Sequence, residues 1–169
     1  MKVVLLIPVM CLPALTLVLG ADEQKPPIHN DEPCQRNRDN NAYSKFVRNH
    51  IIPNSFNIAS KPEWEKHVTL LDRCNKPTQT FIKKKYETKV QQICNGDGRQ
   101  KNRNLCTSIS KIPVYELIIN TNCKVTKIQE QNIRYVTVAC DKVLNHCRPV
   151  HFHGSQTTRP KKTAKLCST

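Results

Sequence analysis

Nine cysteines constrain this chain more than any other feature. Cys34, Cys74, Cys94, Cys106, Cys123, Cys140, Cys147 and Cys167 are scattered singly, while Cys11 lies inside an apolar run from Val3 to Leu19. That run follows Lys2, is broken by Pro8 and Pro13, and ends in the small residues Gly20 and Ala21. A charged start, an apolar middle and a small-residue exit predict a secretory signal peptide over residues 1–20. Its removal takes Cys11 with it, and an even set of eight in a secreted, extracellular chain implies four disulfides. The zinc alternative is poor, because no CxxC or HxxxH pairing is present. His151 and His153 alternate on an expected strand but lack a third ligand, so no metal site is predicted.

Charge narrows the partners. The formal balance of +14 loses one unit with Lys2, leaving +13 for the mature chain. Solubility alone is served by a net charge of about 2 to 8. The surplus therefore predicts attraction to polyanions: RNA, heparan sulfate or anionic membrane lipid. No second apolar run follows the leader, so the mature chain is expected to be soluble and long enough for one modest domain.

Along the chain, residues 21–41 are polar, contain Pro26, Pro27 and Pro33, and read as an extended arm tethered if Cys34 is bridged. Tyr43, Phe46, Val47 and His50 recur at helical spacing and Pro53 marks a stop, which predicts a helix from Ala42 or Tyr43 to Ile52 with His50 on its inward face. A second helix is expected over 62–71, with Ser60 as cap and Trp64, Val68 and Leu71 on one side. A short strand at 80–82, a third short helix at 87–94 and a basic loop in NGDGRQKNRN follow. Antiparallel strands are predicted over 114–121, 123–128, 133–140 and 148–152. Helices first and strands later define an α+β domain over 42–155, with a basic tail at 156–169.

Three stretches carry the candidate chemistry: KFVRNH ending in His50, CNKPTQTF containing Lys76, and PVHF containing His151. Their order, flanking residues and cysteine-rich setting resemble the pancreatic-type ribonucleases of the ribonuclease A superfamily, with angiogenin-like and amphibian-like features. The resemblance spans about Ala42 to Ser155. It implies three short helices packed on a bent, disulfide-crosslinked antiparallel sheet, RNA as substrate, no cofactor, a monomer, and a ribonuclease inhibitor as a further partner.

The same resemblance implies roles. His50 is the expected general base, His151 the general acid and Lys76 the cation for the transition state. Lys45 and Asn49 are expected phosphate contacts, Thr80 the reader of a pyrimidine edge, and Phe152 an apolar wall of that pocket. RNA brings its own nucleophile in the 2′-hydroxyl, so such a site needs only a base, an acid and positive charge. Histidine suits the first two roles because its ordinary pKa of about 6.5 keeps both protonation states populated near neutrality.

Departures from the family pattern are visible. Asn75 is inserted between Cys74 and Lys76, Gln79 replaces an asparagine, and His153 stands where the family often has an aspartate behind the acid histidine. The resemblance implies the bridges Cys94 with Cys140 and Cys74 with Cys123. Because the second-helix cysteine is missing, it leaves Cys34 with Cys106 and Cys147 with Cys167 as the remaining pairs. A cationic host-defence or angiogenin-like effector with weak catalysis, acting through membranes or glycans, is the alternative reading. KKK at 83–85 and RPKKTAK at 159–165 favour it.

Overall fold

A computed structural model describes residues 30–168; the predicted signal peptide and the remainder of the arm, residues 1–29, lie outside the described residues. Helix α1, Ala42–His50, is followed at once by a two-residue strand β1, Ile51–Ile52. The helix stops at His50 rather than Ile52 because Ile51 is already extended, at φ −107° and ψ 118°. Helix α2, Lys61–Leu70, starts where Ser60 Oγ accepts the Glu63 N–H at 3.3 Å and Pro62 occupies the first turn, the position where a missing N–H costs nothing.

Strand β2, Thr78–Lys83, leads through a 3₁₀ turn, Lys84–Tyr86, into helix α3, Glu87–Gln92. Then come β3, Gly98–Asn102, β4, Leu105–Ser108, β5, Ile112–Ile119, β6, Val125–Val143, and β7, His146–Gln156. The sheet runs β1-β2-β5-β6-β4-β3, and β7 also pairs with β6. All pairings are antiparallel except β1 with β2, which is parallel. Three helices on a curled mixed sheet make an α+β architecture.

Two expectations differ here. The basic stretch after Cys94 is a strand as well as a loop, since Gly98–Asn102 pairs with β4. Gly98 makes this possible: a Cβ there would lie 2.1 Å from the Ile93 carbonyl oxygen. The segments 123–128 and 133–140 are one long strand, β6, bent by register shifts against β5 and β7, as bulges bend strands.

Alternation along β1 and β2 divides the core in two. Ile51 and Ile82 enter a cluster with Phe46, Val90, Ile93 and Cys94, whereas their neighbours Ile52 and Phe81 enter another with Trp64, Val68 and Leu117. Successive strand side chains face opposite sides, so α1 covers one layer and α2 the other. His50, the last residue of α1, packs on the Phe46 side, against the rings of Phe46 and Phe152.

Four disulfides close among the described residues: Cys34–Cys147, Cys74–Cys123, Cys94–Cys140 and Cys106–Cys167. The implied pairs Cys34 with Cys106 and Cys147 with Cys167 are therefore corrected by an exchange of partners. The cause lies in how the chain ends dock. The Cys34 N–H donates to the Cys140 carbonyl and the Asn37 N–H to the Lys142 carbonyl, which lays the arm beside β6 within reach of Cys147 on β7. Buried Asp141 secures it, accepting from the side-chain amides of Asn30, Asn37 and Asn104 at 2.7–2.9 Å. At the other end, the Gln100 N–H donates to the Lys165 carbonyl and the Cys167 N–H to the Gly98 carbonyl. The end of the chain is thereby laid along β3, and Cys167 faces Cys106 on β4.

Candidate active site

His50 is held from three sides. Its Nδ1 lies 2.9 Å from the Thr80 carbonyl oxygen, and its ring lies between those of Phe46 and Phe152, at centroid distances of 5.4 and 5.3 Å. A carbonyl oxygen only accepts, so Nδ1 must carry a proton. The neutral ring is then the Nδ1–H tautomer, with the Nε2 lone pair available as a base. Burial is the main cause that drives the His50 pKa down to about 4. The Thr80 hydrogen bond opposes this, and the positive charges of Arg73, His151 and Lys76 reinforce it.

His151 and Lys76 thus both act electrostatically on His50, each from a different part of the fold. His50 ends α1, Lys76 lies in the turn before β2, and His151 lies on β7 opposite Ala139 of β6. Strand β7 has an extra residue on each side of this pair, because Cys140 pairs with Pro149 and Val138 with Phe152, and Thr137 with Gly154. His151 is exposed, as is Lys76.

Lys76 sits in a turn fastened by hydrogen bonds. Its N–H donates to the Arg73 carbonyl at 3.1 Å. Buried Gln79 donates its side-chain amide to the carbonyls of both Arg73, at 2.9 Å, and Lys76, at 3.2 Å. The longer glutamine thus spans the turn that the inserted Asn75 enlarges. Below it, the Cys74–Cys123 bridge ties the turn to the β5–β6 connection.

The remaining candidates divide. Thr80 and Phe152 touch the His50 ring as described. Asn49 contributes its backbone carbonyl to Arg73 Nη1, at 2.9 Å. Lys45 turns toward the arm, where its ammonium pairs with Asp39 at 2.8 Å, so a phosphate would have to compete for it. Arg73 was missed in the sequence, where its only signal is to precede Cys74.

Helix α1 is braced on β7 by a polar cluster. The Tyr43 hydroxyl donates to Glu87 at 2.6 Å, Gln91 donates to Tyr43 and accepts from Arg148 of β7, and the Arg148 guanidinium lies 5.1 Å from the Tyr43 ring centre. Among the described residues no group of three or more histidine, cysteine or acidic side chains is arranged to hold a metal ion.

No family model matches the chain, and no curated protein matches it in sequence. Solved structures do match. Green turtle egg white ribonuclease is similar with a TM-score of 0.56 at 18% identity, over 68% of this chain and 98% of that one. SS-RNase-2 in its des116-120 form gives 0.55 at 24% over 70% and 98%, and zebrafish RNase5 gives 0.52 at 23% over 67% and 93%. The fold is a ribonuclease A-like α+β fold.

Proposed function

We propose that this protein is a secreted endoribonuclease that cleaves RNA on the 3′ side of pyrimidines through a 2′,3′-cyclic phosphate. The observation that carries the reading is the fixed tautomer of His50 beside the cations of His151 and Lys76. His50 Nε2 takes the 2′-hydroxyl proton, the 2′-oxygen attacks phosphorus, and His151 protonates the departing 5′-oxygen. Lys76 donates to the phosphoryl oxygens as charge develops there. In the second step the roles reverse, with His151 removing a proton from water and His50 returning one to the 2′-oxygen. Every proton is accounted for by the two rings, so the cycle calls for no metal. Cleavage of a cytidylyl-adenosine dinucleotide in EDTA tests this, and the reading fails if chelation abolishes turnover.

The lowered His50 pKa has a kinetic consequence. The base works only when neutral, and the acidic limb of kcat/KM reports the free enzyme's base. That limb should lie well below the ordinary histidine range, toward pH 4. A limb at about 6.5 would show that the ring is solvated and not enclosed. The same group affects stability. Because its folded pKa is depressed, its contribution is complete above about pH 6.5 and is lost as pH falls through about 4.

Distributed basic surface supports a second reading, in which binding to anionic glycans or membranes supplements catalysis. Lys85 and Lys89 both lie over the Tyr86 ring, at 5.0 and 5.9 Å, with Lys84 beside them. Lys161, Lys162 and Lys165 are exposed at the other end of the chain. Replacing those three with glutamine should weaken heparin and RNA binding alike and flatten the salt dependence, with dinucleotide cleavage nearly unchanged. Loss of dinucleotide cleavage would place the tail in the active site.

A further inference from the structure

We propose that Arg73 is a positioning residue for this site, its guanidinium joining the end of the histidine helix to the lysine turn and holding a fixed positive charge beside His50. Both ends of the residue are engaged. Nη1 donates to the Asn49 carbonyl at 2.9 Å, one of the last carbonyls of α1, which lack intrahelical partners and carry partial negative charge. Its own carbonyl accepts from the Lys76 N–H and from Gln79. Movement of the lysine turn is thus transmitted to the residue preceding His50, and the two catalytic segments keep one spacing.

The helix-end carbonyl satisfies part of the guanidinium, but a partly buried cation is costly without an opposite charge. Among the described residues no carboxylate pairs with Arg73, and its Nε is buried without a hydrogen-bond partner. The groups acting on His50 are all cationic or dipolar: Arg73 and Lys76 from the turn, His151 from β7, and the Thr80 carbonyl from β2. Such a surplus is relieved when an anionic phosphate enters, which gives an otherwise unfavourable arrangement a use. The catalytic consequence rests on the ribonuclease reading, whereas the effect on His50 does not.

The test therefore reads both. The His50 ring is titrated by NMR in the disulfide-intact protein and in Arg73→Gln and Arg73→Lys, alongside dinucleotide kinetics. Arg73→Gln should raise the His50 midpoint by about one pH unit, as removal of a nearby unit charge does in a partly screened site, and lower kcat about tenfold with little change in KM. Arg73→Lys should keep the midpoint within a few tenths yet lose turnover, because an ammonium does not reproduce the planar fork. An unmoved midpoint in Arg73→Gln overturns the inference even if the protein cleaves RNA. A moved midpoint in a protein that cleaves no RNA sustains it and removes the ribonuclease reading instead. Should Arg73→Gln not fold, Arg73→Lys decides: a held midpoint with reduced kcat supports the proposal, and an unchanged kcat overturns it.

Discussion

His151→Ala should lower cleavage of a dinucleotide by about a thousandfold, within the 10²–10⁴ range that a positioned proton donor or acceptor contributes. The fold should survive, because His151 is exposed on β7 and exposed positions typically change stability by no more than about 0.5 kcal/mol. Leaving-group chemistry separates acid from base. A uridine phosphodiester with a nitrophenolate leaving group needs no proton on departure, so His151→Ala should recover most of its rate on that substrate. His50→Ala should not, since the 2′-hydroxyl must still lose its proton. Equal recovery by both variants would contradict the assignment of roles. Activity of His151→Ala within tenfold of the parent on the dinucleotide would remove the two-histidine mechanism.

Much of this arrangement was legible because local physics and tertiary packing agree. Phe46 and His50, four residues apart, had to share a helix face, and Ser60 followed by Pro62 announced the start of α2. The short strand expected at 80–82 lies within β2, with Phe81 in the core and the Thr80 backbone carbonyl against His50. Where interactions were long-range, the sequence was mute. The glycines in NGDGRQKNRN read as punctuation, yet Gly98 is there because Ile93 leaves no room for a side chain. Nothing local reveals that the arm runs beside Lys142 or that the end of the chain runs along β3, and those two dockings decide how four cysteines pair. Arg73 was equally silent, since its partner carbonyl lies on α1, distant in sequence, and any residue with a carbonyl could have served.

The exchanged bridges make the second large prediction. Cys106 and Cys167 are both fully buried, and their link spans 61 residues of chain. In the loop-closure account a crosslink of that span stabilises by about 4 kcal/mol, mainly by restricting the unfolded chain. The double variant Cys106→Ala/Cys167→Ala should lose about that much, read as a lower denaturant midpoint with a somewhat steeper slope, because the released unfolded chain exposes more surface. Its effect should be confined at first to one edge of the sheet. The tail would leave β3, breaking the bonds from Gln100 to Lys165 and from Cys167 to Gly98, so amide exchange should accelerate over Gly98–Asn102 before it does over β6. None of His50, Lys76, Thr80 or His151 lies on β3 or in the tail, so dinucleotide cleavage by the folded fraction should persist at low temperature. Peptide mapping gives an independent check on the parent protein, where Cys167 should be recovered joined to Cys106 and Cys34 to Cys147. Recovery of Cys147 joined to Cys167 would restore the pairing implied by resemblance, and the strand-like docking of both chain ends would have to be abandoned with it.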